Sequence, residues 1–229
     1  MKVRRMRRVT RFVSEFVVIV GGVLAALSVD SCRQYQTDRG DEDYYLEQVA
    51  ADSRENLRLI AEATALEQKH LDVALNLWEA AQQESPPSAD SVGAWLGRRD
   101  GSWWYSDPRL RDGTVTALVQ TGDFALIRDT RVRSAILGYV SHLQADLEEF
   151  RRAVQIQQDA ITRLGIQGEN VLTPDIAPSS PREVRLYLAI VGVPEGRAAL
   201  SRLRESYVNR IWYLGQIEEA TKALLDLLS

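Results

Sequence analysis

The chain has few of the residues from which catalytic and metal sites are usually built. Its 229 residues include one cysteine, Cys32, and two histidines, His70 and His142. A single cysteine excludes an intrachain disulfide, and none of the common metal, hydrolase, phosphate-loop or dinucleotide motifs occurs. We interpret both histidines as helix surface or interface residues. The sequence therefore predicts a non-enzymatic protein without a metal or cofactor site.

Negatively charged residues are missing from the start of the chain. The whole chain has 28 basic and 32 acidic residues, but the first eleven residues contain no acid. Six basic residues stand there: Lys2, Arg4, Arg5, Arg7, Arg8 and Arg11. The rest of the chain is acidic and lacks the clustered Lys and Arg that phosphate neutralisation needs. Nucleic acid is therefore not an expected partner.

Only one apolar run approaches the length of a membrane span. Residues 13–32 read VSEFVVIVGGVLAALSVDSC, and three interpretations compete for them. The run could be a signal peptide cleaved after Ser28, a lipobox with an acylated Cys32, or an uncleaved transmembrane helix at residues 12–31. Asp30 fits a lipobox badly, while about 20 residues match the thickness of a bilayer core. We favour the transmembrane anchor.

The basic cluster predicts the orientation of this anchor. By the positive-inside rule, the arginines of residues 1–11 stay in the cytoplasm. Residues 12–31 then cross the bacterial inner membrane, and residues 32–40 form a juxtamembrane linker. Residues 41–229 are expected on the periplasmic side. Membrane lipids are accordingly predicted partners.

Glu15 lies on a stripe of small residues within the predicted span. At 100° per residue, Glu15, Ile19, Gly22 and Ala26 share one face of the helix. Small residues spaced by four let a second helix approach closely, and an ionisable group there should face protein. The alternative is that Glu15, near the cytoplasmic end, reaches the headgroups beside Arg11. We predict that the stripe packs against another membrane-protein subunit.

The residues after Gly40 follow helical periodicity and predict an all-α fold. A long amphipathic helix is expected at about residues 41–83, beginning with the acidic run Asp41–Asp43. Further helices are expected at about residues 114–120, 129–164, 182–191 and 194–228. Thr64 and Glu67 interrupt the apolar stripe of the first helix. The pattern predicts an antiparallel up-and-down bundle, with either a break or a stiff continuation at Gly40.

One loop is dense in aromatic residues. Trp103, Trp104 and Tyr105 stand in a turn-rich stretch. They could plug one end of the bundle, or they could be exposed anchors for a partner surface or the outer lipid interface. We predict that they contact a partner.

Two blocks of sequence resemble a known family. Residues 15–30 have the pattern E-x5-G-G-V-L-x-A-L-x-V-D and are followed by YYLEQVAADSREN at residues 44–56. Residues 118–143 read LVQTGDFALIRDTRVRSAILGYVSHL. Together these blocks resemble an uncharacterised family of bacterial single-pass membrane proteins. The resemblance implies the topology and the helical fold only, since the family has no assigned activity.

These observations lead to two expectations about function. The first is a non-catalytic, single-span accessory subunit that stabilises a larger inner-membrane complex. The setting we expect is a photosynthetic reaction centre–light-harvesting assembly, without pigment bound through the span, because the span contains no histidine. The alternative is a membrane-anchored periplasmic ligand-binding or sensor module. A cytoplasmic segment of about eleven residues is too short to be an output domain, which argues against the sensor.

Overall fold

The computed structural model describes residues 2–83, 88, 90–91, 108–163, 184–185, 188 and 191–228. In the first helix, the side chains of residues 2–19, 21–22, 25–28 and 32 are outside this description.

The first helix, α1, runs without interruption from Lys2 to Ala80 and contains 79 residues. At 1.5 Å per residue its length is roughly 120 Å. It passes through Gly40, so the stiff continuation is found there and the alternative, a break, is not. Asp41 and Asp43 consequently lie inside a helix and not in its first turn, and the expected linker at residues 32–40 is helical.

Residues 184–185, 188 and 191, within the helix predicted at 182–191, are helical, as are residues 90–91, and three further helices have both bounds described. They are α2 (Gly113–Thr121), α3 (Thr130–Arg163) and α4 (Pro194–Leu228), with a 3-10 turn at Asp123–Leu126. Their bounds lie within one residue of the predicted ones. Gly122 ends α2 at φ 85°, a left-handed conformation that suits glycine. No strand occurs in these parts of the chain, which confirms the all-α class.

No helix in the described portion of the chain combines the length and the apolar character that crossing a membrane would need.

Most buried residues of the long helices recur at alternating spacings of three and four, with one spacing of seven on α3 between Leu143 and Phe150. On α1 they are Val49, Ser53, Asn56, Ile60, Ala63, Glu67, His70, Ala74 and Leu77. On α4 they are Leu203, Tyr207, Arg210, Leu214, Ile217, Thr221 and Leu224. Helix α3 continues the pattern with Ile136, Tyr139, Leu143, Phe150, Ala153, Gln157 and Ala160. A seven-residue repeat of this kind packs helices side by side at small crossing angles.

The buried apolar side chains form two clusters along the bundle. Core 1 contains Val49, Ile60, Ala63, Val115, Leu118, Ile127, Val132, Ile136, Tyr139, Leu143, Phe150, Val154, Leu214, Ile217 and Leu224. Core 2 contains Val73, Ala74, Leu77, Ala160, Val184, Val191, Ala199, Leu200, Leu203 and Tyr207. The level between the two cores is where the polar side chains described below are buried.

The order of the cores along each helix gives the directions of the helices. Helices α1 and α3 pass from core 1 to core 2, whereas α4 passes from core 2 to core 1. Helix α4 is therefore antiparallel to both α1 and α3, which run in the same direction. The predicted up-and-down alternation thus holds for α3 and α4 but not for α1 and α3. The described residues 111–128 run back along α1 instead, and α2 is part of that segment.

Candidate functional site

A layer of polar side chains separates core 1 from core 2. Each long helix contributes to it: Glu67 and His70 from α1, Gln157 from α3, and Tyr207 and Arg210 from α4. All five side chains have no exposed surface. We call these five residues the polar layer. Buried charges are rare unless they are paired, so this cluster is the most unusual feature of the described core.

The guanidinium of Arg210 connects the three long helices. Its Nη2 donates a hydrogen bond to Oε2 of Glu67, and its Nη1 donates to Oε1 of Gln157. Nε2 of Gln157 in turn donates to the hydroxyl of Tyr207 at 2.9 Å. The Arg210 Cζ atom also lies 4.6 Å from the ring centroid of Tyr207 and 5.6 Å from that of Phe150. One cation is therefore held by a carboxylate, an amide and two aromatic rings.

Burial shifts the pKa values of two members of this layer, Arg210 and Tyr207. Desolvation lowers the pKa of Arg210, while the negative charge of Glu67 acts in the opposite direction. Burial also raises the pKa of the Tyr207 hydroxyl far above its ordinary value. Because the ordinary pKa of arginine is so high, Arg210 keeps its charge at neutral pH. The layer thus contains a cation with its counter-ion and a neutral tyrosine.

His70 is the member of the layer without hydrogen bonds. Neither of its ring nitrogens has a hydrogen-bond partner among the described residues, although the side chain is fully buried. Nδ1 of His70 is 3.9 Å from Oε2 of Glu67, beyond hydrogen-bond range. Its ring centroid is 5.6 Å from that of Tyr207. A buried polar group left unpaired costs about 1–3 kcal/mol, so this position is kept at a cost to stability.

The two histidines therefore have different environments. His142 is exposed on α3, and its Nδ1 lies 2.9 Å from a carboxylate oxygen of Asp146. This agrees with the predicted helix-surface position. His70 lies in the core between α1 and α4, so of the two predicted positions it takes the interface and not the surface. The sequence signal was its place in the seven-residue repeat, three positions after Glu67.

A second polar cluster fastens the returning chain to α1. Asn56, fully buried, donates from Nδ2 to the carbonyl of Arg111 at 2.8 Å and to the hydroxyl of Tyr139 at 2.7 Å. Its Oδ1 accepts from the backbone N–H of Arg111 at 2.7 Å. One side chain thereby holds the start of α2 and a residue of α3. The Tyr139 hydroxyl also interacts with Thr221 of α4.

The same face of α1 makes three further contacts towards its N-terminus. The Thr114 hydroxyl donates to Asp52 at 2.5 Å, and the Tyr45 hydroxyl donates to Asp123 at 2.8 Å. Glu42 accepts a hydrogen bond from the backbone N–H of Arg128 at 2.7 Å. We call the contacts of Glu42, Tyr45, Asp52 and Asn56 with residues 111–128 the staple. From one contact to the next, the residue numbers on α1 decrease while those on residues 111–128 increase. This segment therefore runs antiparallel to α1.

The staple joins the two sequence blocks on which the family resemblance was based. Tyr45 and Asn56 belong to residues 44–56, and their partners Asp123 and Tyr139 belong to residues 118–143. Patterns far apart in the sequence therefore meet at one interface of the fold. Helix docking explains Tyr45, Asn56, Asp123 and Tyr139 within these patterns.

The polar layer is closed to solvent, and neither cluster contains a metal-binding group of described residues. Within the described parts of the chain, no group of three His, Cys, Asp or Glu side chains could hold a metal ion. The polar layer contains an acid, a histidine and a tyrosine, but their side chains have no exposed surface. As arranged, these groups fix helices against each other.

The predicted contact residues are not placed by this structure. Trp103, Trp104 and Tyr105 lie outside the described residues. For Glu15, Ile19, Gly22, Ala26 and the N-terminal arginines, the helical backbone is described but the side chains are not. These assignments stay predictions.

Comparison of the chain with protein-family models, with curated proteins and with solved structures finds no match.

Proposed function

We propose that this chain is a non-catalytic, single-span accessory subunit of a bacterial inner-membrane complex, with its helical domain on the periplasmic face. The observation that carries the proposal is the continuity of α1. The apolar run at residues 12–31 and the buried stripe that begins at Val49 belong to one helix. Whatever holds the first part of α1 therefore also orients the bundle.

The first part of α1 carries exposed apolar side chains, which supports the proposal that lipid or another protein surrounds it. Val20, Val23, Leu24 and Val29 are 37%, 55%, 59% and 70% exposed. Each would gain free energy by leaving water, at roughly 25 cal/mol per Å² of apolar surface buried. Lipid and the helices of a partner subunit are surroundings that provide this burial.

The bundle suits a bracing role in such a complex. From Tyr35 onward, α1 is tied to the returning chain, because Arg128 lies over the Tyr35 ring at 4.3 Å from its centroid and pairs with Glu42. A stiff helix fixed in this way would hold the bundle in a set position relative to the partner subunits, which is a structural role. The setting we propose for it is a photosynthetic reaction centre–light-harvesting assembly, following the sequence interpretation.

The test is whether the chain travels with a larger complex. Native membranes are solubilised in mild detergent and separated by native size, and the companions of the chain are identified by mass spectrometry. We expect comigration at a fixed ratio with other membrane subunits. Migration as a monomer or small homo-oligomer would overturn the proposal and favour the ligand-binding or sensor alternative.

A pair of variants tests the packing stripe within the same experiment. Glu15→Ala combined with Gly22→Leu should release the chain from its complex, because both residues lie on the proposed face. Leu24→Ala is the matched control, since residue 24 is 200° from residue 22 around the helix. Retention of the double variant at wild-type level would show that the stripe is not the interface.

A further inference from the structure

Two cationic or ionisable side chains point at one oxygen atom. Nη2 of Arg210 binds Oε2 of Glu67, and Nδ1 of His70 lies 3.9 Å from that same oxygen. Arg210 approaches from α4, whereas His70 stands one turn after Glu67 on α1. Glu67 is therefore the junction between α1 and α4 at this level, and His70 is the neighbour without a hydrogen bond of its own.

The charge balance of the polar layer depends on His70. With a neutral imidazole, Glu67 and Arg210 compensate each other. Gln157 of α3 and Tyr207 of α4, the other polar groups of the layer, carry no charge. Val184 and Leu188, from the segment packed against core 2, are apolar. Among the described residues, a proton on His70 would therefore leave one positive charge without a counter-ion in a region without exposed surface, which proteins tolerate poorly.

We propose that the polar layer is an acid-sensitive joint between α1 and α4. Protonation of His70 brings a second cation to Glu67 Oε2, weakens the attachment of Arg210 to α1, and separates the two helices at this level until water reaches the charge. Histidine is the side chain that ordinarily changes charge between pH 5 and 8, so the test compares two pH values within that range.

The opening is confined to one part of the bundle. The staple and core 1 fasten α1 through Asn56, Asp52, Tyr45 and apolar residues, and they contain no histidine. The other histidine, His142, pairs with Asp146 of its own helix on the surface. Acid should therefore loosen the core 2 end of α1 and leave its N-terminal attachment in place.

The test uses the full chain in detergent micelles and exploits the fact that it has only two histidines. Thermal unfolding midpoints are measured at pH 7.5 and pH 5.5 for the wild type, His70→Gln and His142→Gln. We expect the wild-type midpoint to fall by about 3–6 °C on acidification. His142→Gln should show the same fall, and His70→Gln should lose most of it. A full fall in His70→Gln, or its loss in His142→Gln, overturns the proposal.

A second measurement needs no variant and covers the case in which His70→Gln does not fold. Amide hydrogen exchange of the wild type is followed at both pH values and corrected for the intrinsic pH dependence of exchange. We expect residues 64–77 and 200–210 to lose protection by about tenfold at pH 5.5, while residues 49–60 and 214–224 keep theirs. Equal loss in both regions, or in neither, contradicts a joint at the polar layer.

Discussion

Glu67 and Arg210 are 143 positions apart in the chain, and they form an ion pair in which neither side chain is exposed to solvent. Arg210 binds Gln157 as well, so this pair also fixes α3. Removing two charges from water costs several kcal/mol for each ion, and attraction within the core recovers this cost only when the remaining hydrogen bonds are made. Our hypothesis is that the pair determines which residues of α1, α3 and α4 face each other and adds little net stability.

Breaking this pair should cost more than replacing it. Arg210→Met leaves Glu67 buried without its cation and should lower the free energy of unfolding by about 3–5 kcal/mol. Glu67→Leu combined with Arg210→Met should cost less, about 1–3 kcal/mol, because apolar groups fill the same space and the remaining loss is the hydrogen bond from Arg210 to the buried Gln157 amide. Urea unfolding of the full chain, followed by circular dichroism, measures both.

The control for this experiment is an exposed ion pair. Lys222 and Glu218 lie one turn apart on α4 with their side chains 59% and 36% exposed. Lys222→Met should change the free energy of unfolding by less than about 1 kcal/mol. If the double replacement of Glu67 and Arg210 is as destabilising as Arg210→Met alone, the pair is a net source of stability and the hypothesis is wrong.

Replacing Asn56 should lower the free energy of unfolding more than replacing any single one of its partners. Asn56→Leu removes three hydrogen bonds and leaves the backbone of Arg111 unpaired, which should cost about 2–4 kcal/mol. Tyr139→Phe removes one of the three and should cost about 1 kcal/mol. Chemical unfolding gives the two values, and hydrogen exchange at residues 113–121 reports the release of α2. If the two variants lose the same free energy of unfolding, the two hydrogen bonds between Asn56 and the backbone of Arg111 do not stabilise the fold.

Helix positions follow from the sequence, whereas the polar core does not. The bounds of α2, α3 and α4 were predicted within one residue, since periodicity, Gly122 and Pro194 mark them locally. In contrast, residue type alone predicts that Ile156 belongs to the buried apolar face of the helix expected at residues 129–164. The side chain of Ile156 is 42% exposed, and the neighbouring Gln157 is buried in its stead.

The physical reason is that burial of a polar side chain depends on a partner in another helix. Gln157 and Arg210 are buried because they bind each other, 53 positions apart. Glu67 was visible only as an interruption of the apolar stripe. The spacing of three and four continues unbroken through Asn56, Glu67, His70 and Arg210, so periodicity indicated the positions even though residue type concealed them. Topology was missed for a similar reason, because the staple that returns the chain along α1 is made of polar contacts.

Acid should weaken the staple through Asp123. The hydrogen bond from Thr121, followed by that from Tyr45, holds the pKa of Asp123 below its ordinary value of 3.8. A carboxylate with a depressed pKa contributes stability that is complete above its unfolded value and is lost as pH falls through the folded one. The contribution should therefore be present at neutral pH and disappear below about pH 4.

Asp123→Asn is the variant that separates this effect from the other carboxylates. It should be less stable than the wild type at pH 6 and should lose less stability between pH 5 and about pH 2. Tyr45→Phe removes one of the two hydrogen bonds and should give an intermediate slope. Acid titration of the unfolding midpoint provides the comparison. An unchanged slope in Asp123→Asn would show that other groups govern the acid response.

The continuity of α1 at Gly40 should be measurable as a distance. With Cys32→Ser to remove the native thiol, spin labels are placed at residues 33 and 47, both exposed on α1. Fourteen residues of helix separate them by about 21 Å along the axis, so dipolar spectroscopy should give a narrow distribution of distances near that value.

Gly40→Ala should keep the distribution narrow and stabilise the helix by about 0.5–1 kcal/mol, because a Cβ there meets nothing within 4 Å. Gly40→Pro should broaden it, since proline costs roughly 3 kcal/mol inside a helix. A wild-type distribution as broad as that of Gly40→Pro would mean that the first part of α1 moves independently of the bundle, and the bracing role would then fail with it.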